Sequence, residues 1–366
     1  MRPDRRGAGL REHVFFTAIA LLSACAPEVP IGEERRLAIR TAIATPTGWR
    51  EAGDRSAPAP LTGWYGRADA NGAVPKITSL EVTPSAVLGS TMLGTTWVIA
   101  GSLGDRAFVR ALDENDATLW ETQLGTTGTI ARGISTTNEG SLVVAGTEQR
   151  GATVQGWVAL LEASGAIRWE RHFDTDFQTT AIGFVPEAIV ADPGAPSPTR
   201  RQFWVTGQRA RPIGDHPAYA VQMTFDGELW DSDPFAEGGT ARGVAAFNLG
   251  LAICIANDGA VQLAWTQGGA VSGAALTDVR LDDRFELAGC FSGTDEVELF
   301  GTLERGADRI PAVVTVDRAT RALRGVREHP TARRASVFGG ARATDGSLTA
   351  FGQQLEPVRR WRGVMP

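Results

Sequence analysis

The sequence predicts an all-β fold assembled from one repeated four-stranded unit, and three observations predict it. The chain matches itself: Gly156-Trp-Val-Ala-Leu-Leu-Glu-Ala-Ser-Gly165-Ala-Ile-Arg-Trp169 aligns without a gap on Gly63-Trp-Tyr-Gly-Arg-Ala-Asp-Ala-Asn-Gly72-Ala-Val-Pro-Lys76. Apolar residues alternate with period two around short turns, and no long segment has the 3.6-residue period of a helix. Forty-three glycines and nineteen prolines supply the turns that many short strands need. A four-stranded sheet cannot bury both faces alone, so such units stack on one another. Units of about 45 to 60 residues, stacked until the ring closes, make a β-propeller. A pair of β-sandwiches is the alternative, but a repeat that runs through the whole chain argues against it.

Two phrases mark each unit. One is an alternating strand, an Asp/Asn/Gly turn and a strand bearing tryptophan, as in Phe108 to Trp120 and Tyr219 to Trp230. The other is a short apolar strand ending in glycine: Trp97 to Gly101, Ser141 to Gly146, Trp204 to Gly207, Leu299 to Gly301, Ala350 to Gly352 and, more weakly, Trp49 to Gly53. The tryptophans suit the space between blades, and small residues suit the crowded axis. The phrases divide the chain into 34–82, 83–127, 128–178, 179–238, 239–279, 280–331 and 332–366. Seven blades are expected, with six or eight also compatible. In the sixth unit Arg321-Ala-Leu-Arg-Gly325 stands where the tryptophan would be. The last unit lacks an obvious fourth strand, so it is either short or completed by a strand from the N-terminus.

The strand, turn and tryptophan phrase, carried by Trp120, Trp169 and Trp230, resembles the quinoprotein-like propellers, and the likeness covers 34–366. That resemblance implies the fold. It also raises a pyrroloquinoline-quinone dehydrogenase as an enzymatic alternative, although the residues such enzymes use for quinone and calcium do not stand out. The expectation is a domain with no quinone, flavin, haem or stoichiometric metal.

The N-terminus carries an address. Arg2, Arg5, Arg6 and Arg11 precede an apolar run from His13 to Ala24, too short to span a bilayer but suited to a signal peptide. The run ends in Leu22-Ser-Ala-Cys25, which resembles the bacterial lipobox. The resemblance implies cleavage before Cys25, acylation of its thiol and new amine, and stable membrane anchoring by two or three chains. Ala26 in place of the aspartate of inner-membrane retention points, by the same resemblance, to the outer membrane. Residues 1–24 are thus expected to be a signal peptide, 25–33 a lipidated tether and 34–366 the propeller.

The chemistry the residues permit is narrow. A balance of 36 basic and 42 acidic residues gives −6, which does not suggest a nucleic-acid binder. Lys76 is the only lysine, leaving almost no room for lysine-based phosphate or Schiff-base chemistry. No G-x-S-x-G, C-x-x-C or H-E-x-x-H occurs, and His172, His216 and His329 fall in three different repeats. No catalytic, cofactor or metal residue is assigned. The pairs Asp174/Asp176 and Asp231/Asp233 are read as turn formers rather than calcium ligands. Asn138-Glu-Gly140, Asp226-Gly227, Asp258-Gly259 and Asp345-Gly346 read as hairpin turns. Arg359, Arg360 and Arg362 are read as protecting a strand edge. Cys254 and Cys290 sit in apolar surroundings and are expected to be free thiols, with a bridge as the alternative in an oxidising envelope.

Two segments depart from the period. The proline-rich 192–201 and the loop 209–217 interrupt the fourth unit. They offer a partly basic rim of Arg200, Arg201, Arg209, Arg211, Asp215 and His216 on an acidic body. The expected role is a non-catalytic scaffold that holds a protein or peptide on one face of the ring. The alternatives are an enzyme, dehydrogenase or hydrolase, at the axial funnel, and a carbohydrate-binding module with exposed aromatics.

Overall fold

The computed structural model describes residues 37–55, 61–69, 76–137, 139–151, 153–173, 184–191, 202–209, 217–234, 239–247, 250–266, 273–343, 345–355 and 358–365. All of its regular elements are strands. The first sheet is β1 (Leu37–Thr45), β2 (Gly48–Arg55), β3 (Thr62–Asp69) and β4 (Lys76–Ser79). The second is β5 (Ser85–Leu93), β6 (Thr96–Leu103), β7 (Arg106–Leu112) and β8 (Thr118–Leu124). The third is β9 (Thr129–Thr136), β10 (Leu142–Arg150), β11 (Thr153–Leu161) and β12 (Ile167–His172). The fourth is β13 (Phe184–Ala191), β14 (Gln202–Arg209), β15 (Ala218–Thr224) and β16 (Leu229–Pro234). The fifth is β17 (Thr240–Phe247), β18 (Gly250–Asn257), β19 (Ala260–Trp265) and β20 (Ala275–Val279). The sixth is β21 (Arg284–Ser292), β22 (Glu296–Arg305), β23 (Asp308–Asp317) and β24 (Leu323–Glu328).

These six are complete antiparallel blades with strands in sequence order. The remaining sheet has three strands, β25 (Ala335–Arg342), β26 (Leu348–Leu355) and β27 (Val358–Val364). Among the described residues no N-terminal strand completes it, and β1 pairs within its own sheet.

Burial follows position in the blade. The middle strands are apolar almost throughout because neighbouring blades cover both faces: β22 is buried at seven consecutive positions, and its sequence Glu-Val-Glu-Leu-Phe-Gly-Thr-Leu barely alternates. The outermost strands β8 and β24 expose more than half of their residues and read as polar. One apolar core fills each junction between consecutive sheets. Trp97 packs with Ala52 and Tyr65 of the first sheet, and Trp157 with Val98 and Val109 of the second. The last junction joins Phe351 of β26 to Leu37, Ile39 and Trp64, which closes the ring. The first strands β1, β5, β9, β13, β17, β21 and β25 each touch the next around the axis, and β25 touches β1.

The tryptophans of the outer strands act as wedges, as the repeat suggested. Trp120 on β8 covers Gly165 in the next blade's hairpin, and Trp169 on β12 covers Gly227 in the one after. Trp169 Nε1 also donates to the Phe225 carbonyl at 2.8 Å. The hairpin glycines take the left-handed conformation expected of them, for instance Gly259 at φ 83° and Gly346 at φ 84°.

Three expectations need correction. Cys254 on β18 and Cys290 on β21 form a disulfide, with Cα atoms 6.5 Å apart. The first strand of one blade lies directly against the preceding blade, so apolar surroundings brought the two thiols together instead of isolating them. Asp231 and Asp233 stand on strand β16 rather than in a turn, because the turn is already made by Asp226-Gly227. Arg362 does not guard a solvent edge: its side chain is 12% exposed and faces Glu51 of the first sheet. Asp174 and Asp176 lie outside the described residues.

Candidate axial site

The first strand of every sheet carries a β-bulge at the same place. The pairing with the second strand skips Arg40, Leu88, Arg132, Glu187, Arg242, Ala288 and Phe338 in turn. A bulge leaves one residue unpaired and re-aims it. Here the flanking residues Ile39, Val87, Ala131, Ala241, Leu287 and Val337 are buried, whereas the bulged residues between them are half-exposed. Six of the seven bulged positions line a single pocket of about 870 Å³. Every blade contributes to its wall, the fourth through Gln208, so the pocket lies on the ring axis. Thr240 at the start of β17 and the Asp258-Gly259 turn help to rim it. It therefore opens on the face that carries the turns between second and third strands.

The glycines noted in the sequence explain the bulges. Gly53, Gly101, Gly146, Gly207, Gly301 and Gly352 each pair with the residue just before a bulge. At Gly101 an added Cβ would overlap the Ala86 carbonyl oxygen, so the second strand passes the kink only without a side chain. Across the other edge, the same glycines face Trp64, Phe108, Trp157, Tyr219 and Trp361 on the third strand, with Ala312 in the sixth sheet. At five positions a glycine also follows the bulge directly, as Gly89, Gly133, Gly243, Gly289 and Gly339. A Cβ on Gly243 would stand 3.3 Å from the Cys290 nitrogen of the next blade, so this second glycine lets the inner strands close up. A residue followed by glycine near the start of five of the seven units was the available sequence signal for the axis. Period-two reading passes over it because a bulge breaks the period.

The pocket is cationic. Four arginines, Arg40, Arg132, Arg242 and Arg284, line it with two acids, Asp258 and Glu286. Both acids are engaged: Asp258 with Arg284 at 3.3 Å, and Glu286 with Arg309. Arg40 stacks over the Phe338 ring at 4.1 Å, and its Nε donates to buried Asp54 at 2.5 Å. Arg132 Nε donates to Thr147 Oγ1 at 3.4 Å. Glu187 holds the fourth bulge position, between those of Arg132 and Arg242 in the order of the sheets. Leu88, Ala288 and Phe338 give the wall an apolar part. Arginine's planar fork suits the bidentate recognition of carboxylate or phosphate.

None of the residues proposed from sequence is among the described lining of the pocket. Cys25, Arg200, Arg201, Arg211, Asp215 and His216 fall outside the described residues, and of Arg209 only the backbone, at the end of β14, is described. The segment 192–201 joins β14 at Gln202 and the segment 210–216 leaves it at Arg209, so the two attach at opposite ends of one strand. Gln208, beside the second attachment, lines the pocket. His172 lies on an outer strand against Glu148 at 3.0 Å, and His329 packs edge-on against Trp361. Among the described residues no cluster of His, Cys, Asp and Glu could hold a metal ion.

No protein-family model matches the sequence, and no curated protein matches it. Solved structures do match. A chain of Kuenenia stuttgartiensis hydrazine synthase is 11% identical, with a TM-score of 0.56 over 92% of this chain and 98% of that one. A Dos1 propeller is 10% identical, with a TM-score of 0.58 over 91% and 92%. The β-propeller domain of the Trilobed protease from Pyrococcus furiosus, described as having an open velcro topology, is 8% identical, with a TM-score of 0.52 over 90% and 94%. Likeness at this level concerns architecture alone. The chain has the β-propeller fold.

Proposed function

We propose that this chain is a seven-sector propeller, with the three-stranded sheet as its last blade, that serves as a binding scaffold tethered to the bacterial cell envelope through lipidated Cys25. Its partner is a protein or peptide held on the face where the axial pocket opens. The observation that carries this reading is that all seven sheets converge on one mouth, which stacked cores hold in place. A preformed surface loses little conformational entropy on binding. The described tryptophans favour a scaffold over a carbohydrate module, since Trp64, Trp97, Trp157, Trp204, Trp265 and Trp361 are buried and, among the described residues, no aromatic is one of the exposed large hydrophobics.

The test is a pull-down from solubilised envelope with the lipidated chain. Beside it run a Cys25→Ser variant, a variant deleted for 192–201 and a variant deleted for 210–216. The reading expects Cys25→Ser to leave the membrane fraction, and expects one partner to be lost on deleting 210–216 but kept on deleting 192–201. A Cys25→Ser protein that stays membrane-bound would overturn the anchoring. A turnover of substrate by the purified chain with no protein captured would overturn the scaffold.

A further inference from the structure

The axial pocket has a chemistry that a general docking face does not require. We propose that it is a binding site for a small organic oxyanion, a carboxylate or phosphate ester with an apolar body. Three features carry this. First, the cations come from the bulge positions of blades one, three and five, so backbone geometry aims them at the axis. Second, four arginines face two acids in the wall, Glu286 is held by Arg309 from outside it, and the Arg40 pair with Asp54 engages Nε, one edge of the guanidinium fork. Third, Leu88, Ala288 and Phe338 provide an apolar surface beside that charge.

The cavity, at about 870 Å³, has the size of pockets that enclose metabolite-sized molecules. The body of the chain is acidic at −6, so the basic axis is a local arrangement and not an average of the composition. A concave cationic site with low-dielectric walls concentrates anions by focusing its field. Arginine suits this site better than lysine would, because the fork fixes the orientation of a planar carboxylate or a phosphate face.

The experiment is calorimetric titration of the full chain in detergent with three probes: benzene-1,3-dicarboxylate, phenyl phosphate and the neutral dimethyl ester of the dicarboxylate. The inference expects the two anions to bind and the ester not to, with affinity falling as salt rises. The tighter anion identifies the carboxylate or the phosphate source. An Arg132→Gln/Arg242→Gln variant should weaken binding at least about tenfold. Ala288→Trp, which keeps every arginine but fills the pocket, should abolish it while the thermal midpoint holds. Equal binding of the ester, or anion binding unchanged in both variants, would overturn the inference. The scaffold reading is judged separately by partner capture, and survives if the pocket takes no anion.

Discussion

Arg362 on β27 and Glu51 on β2 form an ion pair at 2.7 Å across the seam between the last sheet and the first, with the Glu51 side chain 1% exposed. The guanidinium also lies 5.1 Å from the Trp49 ring centre. Charge pairs cross other seams as well, Arg67 with Asp116 at 3.0 Å between the first and second sheets and Arg342 with Glu298 between the sixth and the last. Where the three-stranded sheet meets the first, the buried charge pair joins the packing of Phe351 on Trp64.

Removing one partner of a buried pair strands the other charge. Arg362→Met and Glu51→Gln are each expected to cost about 3 to 5 kcal/mol, and the double variant clearly less than the two together. Urea unfolding of the four proteins measures this. Additive losses would mean that the pair does not act as a unit.

Gly101→Ala should destabilise the chain by about 1 to 3 kcal/mol, because the added methyl meets the Ala86 carbonyl across the bulge. Gly325→Ala is the matched control. Its Cβ would meet nothing within 4 Å, so its midpoint should move within about 0.5 kcal/mol. Equal effects of the two would remove the bulge explanation of the recurring glycine.

The Cys254–Cys290 disulfide ties β18 to β21 across 36 residues. Alkylation under denaturing, non-reducing conditions should label neither cysteine, and reduction should expose both. On the loop-closure account, replacing both with alanine should cost about 3 to 4 kcal/mol. Labelling of either thiol before reduction would restore the free-thiol reading.

Asp317, the last residue of β23, accepts from the Thr320 backbone N–H at 2.7 Å and from Arg324 Nε at 2.8 Å. The Thr320 hydrogen bonds, and then Arg324, hold its carboxyl down at about 2, against an ordinary 3.8. Because the folded value is depressed, the turn's contribution is complete above the ordinary value and disappears as pH falls through about 2. A carboxyl-carbon NMR titration should place the Asp317 midpoint near that value. A midpoint at the ordinary value would show the turn open in solution.

Much of the ring was legible from sequence, and the reason is local. Trp97-Val-Ile-Ala-Gly101 and Phe108 to Trp120 record, in adjacent strands, a middle strand buried on both faces and an outer strand whose tryptophan covers the next blade. The two phrases were separately visible, but their relation was not. The glycine of the first faces the aromatic at the start of the second, as Gly101 faces Phe108 and Gly146 faces Trp157, and this pairing sits beside the bulge. Blade five lacks it: Ile255 holds the glycine position opposite Gln262, and the neighbouring Cys254 carries the disulfide.

The axial site was not legible, because its members are spread over seven sheets, from Arg40 to Phe338. Arg40, Arg132 and Arg242 look like ordinary strand arginines until the bulges bring them into one pocket. The expected rim drew attention through composition, with its prolines and clustered arginines. Composition does not report that 192–201 and 210–216 attach at opposite ends of β14.

The most direct test of the account is cysteine accessibility at the bulges. In a Cys25→Ser background, Leu88→Cys and Phe338→Cys place a thiol at two bulged positions, and Val87→Cys and Val337→Cys place one at their buried neighbours. Native-state labelling with anionic and cationic thiosulfonates measures exposure and local potential together. The account predicts that positions 88 and 338 react, faster with the anionic reagent, while 87 and 337 stay protected. Equal reactivity of neighbours, or a preference for the cationic reagent, would contradict a bulge-built cationic axis.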